Sequence, residues 1–399
     1  MAKPFKPRFA TPSVLGTIDP PDFVPIFRPY RKWLAQRGIS ITGPASIDVE
    51  ALSRVIMDGT GPDGFVELVC AIDDLAVPEL HDRVVACAHR VDLALEDDDF
   101  GHRLVVKVMA VARARAVLRE LLTEQTSLRP KRYERYMCIA KTIPRLKRGS
   151  RMRLRSLEGA LDIDFLKRQR QRRPGVVAGH IFKEEHGFRL IVRRGDTKRS
   201  QLAIDDDDGK TRPVIFRPEL YDVIRYDQRY GDLLVNARSK ADIRAYCYLI
   251  GEHLFGDKFA FDPNLAPRRY TLNAIREHGQ ACLTFADING IESVRLHLLE
   301  LELPGYDNTP ITFGPGDAFL ALQAVGGIDS EAVLIRAVFK IRIRGERRER
   351  TVVIIPPITA TYDRDDAGSL IETFIERREY LLPRSESLRG APETLFSLY

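Results

Sequence analysis

This sequence of 399 residues has no long apolar run. None of its stretches approaches the roughly 18 to 20 uninterrupted apolar residues that span a bilayer. Its first residues, MAKPFKPRFATPSVLG, lack the apolar core of a secretory signal. We therefore expect a cytoplasmic protein with no membrane partner. Apolar residues still make up 44% of the chain and charged residues 30%, a balance that excludes disorder over most of the length.

Cysteine is scarce, and the motifs of several large enzyme classes are missing. The five cysteines include no CxxC pair, so neither a disulfide framework nor a zinc cage is predicted. Two Gly-rich stretches, at 59–65 and 312–319, do not continue into GKS or GKT, and neither sits in a strand-loop-helix unit with GxGxxG, so we interpret both as turns. GxSxG and HExxH are also absent. The sequence thus predicts no cofactor, no resident metal and no catalytic residue.

What the sequence does have is an uneven distribution of charge. Residues 1–125 hold 15 Lys/Arg against 18 Asp/Glu and residues 201–399 hold 25 against 31, whereas residues 126–200 hold 22 against 7. This central window therefore carries a net charge of +15 in a chain whose total is +6. Because charges act over about 10 Å at moderate salt, the local excess matters more than the total.

Arginine dominates the basic clusters of the central window. A guanidinium fork suits bidentate contacts with phosphate better than an ammonium does, and Tyr133 and Tyr136 are available for stacking on bases. We therefore predict a nucleic-acid-binding protein that holds the phosphate backbone, with no base readout inferable. The predicted contacts come from Arg145, Lys147, Arg148, Arg151, Arg153, Arg155, Lys167, Arg168, Arg170, Arg172 and Arg173.

Other interpretations of the window remain open. It can be a solvated helical face that docks against the acidic flanks of the same chain. It can also belong to an interaction scaffold whose basic surface meets an acidic protein subunit. A membrane-surface helix ranks third, because RLKRGSRMRLR is interrupted by Gly149 and has few apolar residues to bury.

The periodicity of the apolar residues predicts helices in the first part of the chain. Residues 1–125 repeat apolar side chains at helical spacing, which is typical of a helical domain, and the longest helix is predicted over 102–122. Residues 126–174 are predicted to form a basic helical connector with helices near 131–142 and 157–171.

Beyond the connector the period switches to the alternation of strands. Hairpins are predicted for VVAGHIF with FRLIVRR and for YDVIRYD with DLLVNA, followed by a helix at KADIRAYCYLIGEHLFG. We assign residues 175–262 to one α+β domain and residues 263–399 to a second. The predicted fold class is α+β multidomain: an N-terminal helical domain followed by two mixed α/β units with antiparallel hairpins.

Four stretches, RPELYDVIRYD, GDLLVNARSK, GEHLFGDKF and IIPPITATYDRD, resemble a bacterial protein family with no assigned activity, over about residues 45–380. The resemblance implies a bacterial origin and a shared multidomain layout, and it transfers no catalytic or binding residue. We accordingly expect an accessory or regulatory protein within a larger bacterial complex.

The alternative hypothesis is enzymatic. The second hairpin carries Asp222, Asp227 and Asp232 and is followed by Lys240. This arrangement resembles the core of restriction nucleases, in which an Asp and an acid-x-Lys motif hold a divalent metal. The residue two positions before Lys240 is Arg238 rather than an acid, and a cation there opposes metal binding. The alternative is thus a nuclease that uses these three aspartates and the lysine with Mg²⁺ or Mn²⁺, acting in phage defence.

Replacing the KRQRQRR cluster at 167–173 by alanine should weaken binding to an oligonucleotide. If about five side chains of the window neutralise phosphates, log K falls with log salt at a slope near −4 to −5, and the variant should show a flatter slope. A gel-shift titration over salt measures both quantities. Unchanged affinity and slope would reject the assignment, whereas Mg²⁺-dependent cleavage of the substrate would favour the nuclease.

Overall fold

The computed structural model describes residues 7–41, 47–58, 61–128, 131–139, 157, 159–160, 178–184, 186–196, 199–204, 211–216, 218–265, 268–303, 310–365 and 367–389. The chain divides into two compact units, residues 1–126 with 202–213 and residues 127–201 with 214–399. The predicted α+β class is confirmed, because helices come first and a large antiparallel sheet follows. None of the helices in the described ranges combines the length and apolarity that crossing a bilayer requires.

Amphipathic helices form most of the first unit, as predicted. Helix α4 (Val49–Asp58) buries Leu52 and Ile56, and α5 (Asp63–Leu75) buries Phe65, Val69 and Ile72, so each helix turns one apolar stripe toward the unit's core. The helices are α1 Pro12–Leu15, α2 Pro20–Phe27, α3 Arg31–Gln36, α4 Val49–Asp58, α5 Asp63–Leu75, α6 His81–His89, α7 Gly101–Ala110 and α8 Ala114–Leu128. Short 3₁₀ turns at Arg8–Ala10, Arg28–Tyr30 and Pro78–Leu80 connect some of them.

The single long helix predicted over 102–122 is wrong, because the chain breaks at 111–113 into α7 and α8. Arg115 stabilises the break: its Nε donates to the carbonyl of Met109 at 2.8 Å and its Nη2 to the carbonyl of Pro25 at 3.0 Å. The first of these bonds satisfies a carbonyl that loses its helical partner at the end of α7. No glycine or proline marks the break, so apolar periodicity alone does not locate it.

Ten strands within the described residues form one sheet in which neighbouring strands are antiparallel. The strands are β1 Arg132–Met137, β2 Ala178–Glu184, β3 Gly187–Gly195, β4 Arg199–Ile204, β5 Thr211–Phe216, β6 Glu219–Asp227, β7 Asp232–Asn236, β8 Ile291–Glu302, β9 Ile311–Phe313, β10 Val333–Ile343, β11 Arg350–Ile355 and β12 Thr359–Thr361. The order in the sheet is β2-β3-β6-β7-β1-β12-β11-β10-β8-β9, and β4 and β5 form a separate pair.

Strand β1 is the main departure from the sequence prediction. The two predicted hairpins are confirmed as β2–β3 and β6–β7, but the helix predicted over 131–142 is wrong at 132–137, which form β1. The strand pairs with β7 on one side and β12 on the other, and residues 133–137 are all buried. A strand covered on both faces has no single apolar stripe, so its period is hard to recognise.

Helices cover parts of the sheet in the second unit. The predicted helix after β7 is confirmed as α9, which buries Ile243, Tyr246 and Ile250 in one cluster with Leu190 and Leu233 of the sheet. The helices of this unit are α9 Lys240–Ile250, α10 Asn273–His278, α11 Ala318–Ala324, α12 Gly368–Arg377 and α13 Arg384–Arg389, with a π turn at Gly251–Phe255 and 3₁₀ turns at Pro263–Leu265 and Gly279–Leu283.

Phe339→Ala should lower the free energy of unfolding by about 3–5 kcal/mol. Phe339 is fully buried on β10, with its ring centroid 4.9 Å from that of Tyr380 and 6.0 Å from that of Phe374. Urea denaturation measures the loss. The control is Val333→Ala on the same strand, where 56% of the residue is exposed and the change should stay within about 0.5 kcal/mol. Equal losses at both positions would contradict the packing described here.

Candidate functional site

The predicted phosphate contacts of the central window lie outside the described residues. This holds for Arg145, Lys147, Arg148, Arg151, Arg153, Arg155, Lys167, Arg168, Arg170, Arg172 and Arg173. Their assignment therefore stays a prediction.

A polar cleft opens in the second unit where β7 ends and α9 begins. Its volume is about 330 Å³, and we call it the α9 cleft. Three cationic side chains and one carboxylate border it. The lining residues are Arg132, Glu134, Val235, Asn236, Ala237, Arg238, Ser239, Lys240 and Ile243.

Strand β1 supplies one wall of the α9 cleft. Side chains two residues apart share one face of a strand, so Arg132, Glu134 and Tyr136 lie on the same side of β1. Glu134 pairs with Val235 of β7 in the sheet register, which brings its carboxylate to the start of α9. Arg132 is exposed, and no ion pair to its guanidinium occurs within the described residues.

Glu134 and Lys240 form an ion pair inside the cleft. The Nζ of Lys240 donates to both carboxylate oxygens of Glu134, at 2.9 and 2.8 Å. The hydroxyl of Tyr136 donates to the same carboxylate. Burial and this hydrogen bond raise the pKa of Tyr136, so its hydroxyl remains protonated and keeps donating. The carboxylate is thus held from two sides.

Arg238 is held at the rim of the cleft by Asp196. The carboxylate of Asp196, which is 1% exposed as a residue, accepts from Arg238 Nη1 at 2.7 Å and from Arg199 Nη2 at 3.0 Å. One buried carboxylate therefore holds two cations, while the Arg238 side chain stays 59% exposed. An anion in the cleft can still reach that guanidinium.

A buried network behind the cleft fixes the first turn of α9. Arg194 donates from Nε to Asp222 at 2.7 Å and from Nη2 to Asp242 at 3.1 Å, and the hydroxyl of Tyr246 donates to Asp222 at 2.7 Å. Ser239 caps the helix by accepting from the amide of Asp242. Burial raises the pKa of Tyr246 well above its usual value, so this hydroxyl also stays a donor.

The four nuclease candidates do not meet at one point among the described residues. Asp222 is held by the network just described. Asp227 and Asp232 face each other across the turn of the β6–β7 hairpin, at the end of β7 opposite to the cleft. Lys240 pairs with Glu134 instead of with an aspartate.

Asp227 and Asp232 each already have a cationic partner. Burial alone would raise the pKa of Asp227, but the hydrogen bonds from Arg229 outweigh burial and lower it. Asp232 is fully buried and accepts from Arg269 at 2.8 Å, with Arg135 Nε 3.5 Å away. These pairs leave little room for a divalent ion to displace the arginines.

In the described part of the chain, one group of three carboxylates has the spacing of a metal site: Glu96, Asp98 and Asp99 in the first unit. Arg103 forms ion pairs with all three, and Lys107 pairs with Glu96 and Asp99. The cations already neutralise the charge that would attract Mg²⁺ or Mn²⁺. The group therefore supports no metal assignment.

Sequence reasoning missed Arg132 and Glu134 as cleft residues, because the RYERYM stretch was predicted to be helical. The stretch has no regular alternation of polar and apolar residues that would indicate a strand; the two faces, with Arg132, Glu134 and Tyr136 on one and Tyr133 and Arg135 on the other, follow only from the strand geometry. Glu134 lies 106 residues before its partner Lys240, so no local motif links them.

Asp232→Ala should destabilise the fold by about 3–5 kcal/mol, because it leaves Arg135 and Arg269 buried without their carboxylate. Urea denaturation followed by circular dichroism measures the loss. The control is Glu219→Gln, which removes an exposed carboxylate 3.3 Å from Arg193 and should cost at most about 1 kcal/mol. A stable Asp232→Ala protein that had lost metal-dependent cleavage would instead assign this aspartate a chemical role.

No protein-family model matches the chain, and no curated protein matches it. These findings agree with the resemblance noted above, which carries no assigned activity. They transfer no binding residue to the α9 cleft, so its function follows from its own side chains.

Proposed function

We propose that the protein binds nucleic acid through the phosphate backbone and acts as an accessory or regulatory member of a larger bacterial complex. The observation that carries the proposal is the α9 cleft, in which Arg132, Arg238 and Lys240 converge and Glu134 is the one acidic lining residue. The Arg-rich central window supports it from the sequence, with its excess of 15 positive charges.

The chemistry of the cleft suits a phosphate group. The two arginines offer planar forks that can donate two parallel hydrogen bonds to phosphate oxygens, and Lys240 adds a compact charge. Asn236 and Ser239 add neutral polar atoms to the lining. Aromatic rings are absent from the described lining, so the cleft offers phosphate contacts without a stacking platform for bases.

The exposure of the cations distinguishes the cleft from the buried ion pairs of the same unit. The side chains of Arg238 and Lys240 are 59% and 73% exposed, whereas those of Arg194 and Arg269 are 3% and 1% exposed. The carboxylates that pair with the exposed cations are buried, but each keeps a second donor, Arg199 for Asp196 and Tyr136 for Glu134, so these cations can engage a ligand without leaving a carboxylate unpaired. The buried arginines expose almost no surface to a ligand.

The triple variant Arg132→Ala/Arg238→Ala/Lys240→Ala should bind oligonucleotides more weakly and with a flatter salt dependence. Each lost phosphate contact reduces the slope of log K against log salt by about 0.9 on duplex DNA and about 0.7 on single strands. Fluorescence anisotropy with duplex and single-stranded oligonucleotides, over a salt series, measures both.

The matched control removes three exposed cations from another region of the same unit, as Arg342→Ala/Arg347→Ala/Arg348→Ala. Its affinity and slope should stay close to wild type. Equal losses in both triple variants would show that binding follows total charge and would reject the cleft as the interface. Absence of oligonucleotide binding by the wild-type protein, with no 260 nm absorbance excess in untreated preparations, would favour a protein interaction scaffold.

A further inference from the structure

The two members of the ion pair inside the α9 cleft are held very differently. The Glu134 side chain is 10% exposed, lies on a strand paired on both sides, and accepts a second hydrogen bond from Tyr136. The Lys240 side chain is 73% exposed and ends a flexible four-carbon stem. The carboxylate is therefore fixed, and the ammonium is free to change partner.

A phosphate entering the cleft meets Glu134 as a competitor. It has to take Lys240 from a carboxylate that the ammonium contacts at 2.8 and 2.9 Å, and it also experiences the repulsion of that like charge. Phosphate has one advantage over Glu134, since it can accept charge-assisted hydrogen bonds from Arg132 and Arg238 at the same time. The balance between these effects sets the affinity.

We infer that the α9 cleft is a phosphate-exchange site, in which one phosphate group displaces Glu134 from Lys240 and is then held by Arg132, Arg238 and Lys240. Without a ligand, Glu134 neutralises Lys240. It therefore lowers the affinity of the cleft for any ligand whose negative charge is too small to displace it. This inference rests on the proposed function and names the chemical group that the cleft takes. The phosphate has two possible sources, the terminal monoester of a strand and the diesters of its backbone.

The decisive variant is Glu134→Gln, which keeps the shape and removes the competing charge. Binding of phosphate should become about fivefold tighter, a change of about 1 kcal/mol, because the variant removes the like charge that competes for Lys240. A role of Glu134 that is only structural would weaken binding or leave it unchanged. Calorimetry with inorganic phosphate gives the affinity of the cleft alone. Anisotropy with a 5′-phosphorylated and a 5′-hydroxyl single strand of one sequence distinguishes the two sources.

Glu219→Gln is the matched control, because it makes the same change of charge at a surface pair with Arg193 outside the cleft. Its affinity for phosphate should change less than twofold. In a Lys240→Met background the gain from Glu134→Gln should become smaller, since the exchanged ammonium is gone and only the relief of charge repulsion remains. Lys240→Met alone should weaken phosphate binding, and it tests the inference even if Glu134→Gln folds poorly.

The outcomes separate this inference from the proposed function. Tighter inorganic phosphate binding by Glu134→Gln, without oligonucleotide binding by any variant, would support the exchange site and reject nucleic acid as its ligand. Oligonucleotide binding that is equal in wild type, Glu134→Gln and Lys240→Met would overturn the exchange site and leave backbone binding to other residues. A gain confined to the 5′-phosphorylated strand would identify the terminal monoester, and an equal gain for both strands would identify the diesters.

Discussion

The pairing of strand β1 on both of its edges is the constraint on which the second unit depends. Register with β7 and β12 fixes which side chains face which side of the sheet. Glu134 thereby reaches Lys240 on the α9 side, while Arg135 lies near Asp232 on the opposite side. A slip of one residue would exchange the two faces, placing the arginine in the cleft and the glutamate beside the aspartate. The double pairing thus assembles the cleft and the buried ion pair together.

Charged residues in this unit fall into two classes with different consequences. Asp232 with Arg269 and Asp222 with Arg194 are almost inaccessible, and breaking such a pair leaves an uncompensated charge in a medium of low dielectric constant. Removing one partner of either pair should therefore lower the free energy of unfolding. Although their carboxylate partners are buried, the cations at the cleft are solvated. Solvation makes them available to a ligand, so exposure rather than sequence motif separates the functional candidates from the structural ones.

Helices and hairpins, which depend on residues close in sequence, were predictable, whereas the pairing of strands distant in sequence was not. Apolar periods identified α4, α5 and α9 and both hairpins, because each depends on neighbours within a few residues. Strand β1 was not predicted, because it pairs with strands about 100 and 225 residues away along the chain. The apolar pattern of a short segment carries no information about such distant partners. Asp232 and Lys240, two residues of the nuclease hypothesis, lie apart for a related reason: β7 separates them, and a strand rises about 3.3 Å per residue.

The acidic flanks of the sequence offer an internal partner for the central arginines, but many of their described carboxylates are already engaged. Glu96, Asp98 and Asp99 share Arg103, and Asp287 is bound by both Arg377 and Arg378. Docking the window on these groups would exchange one arginine partner for another, with little net electrostatic gain. A phosphate backbone brings charges that have no protein partner and releases condensed counter-ions on binding. This difference favours an external polyanion over self-association as the ligand of the central window.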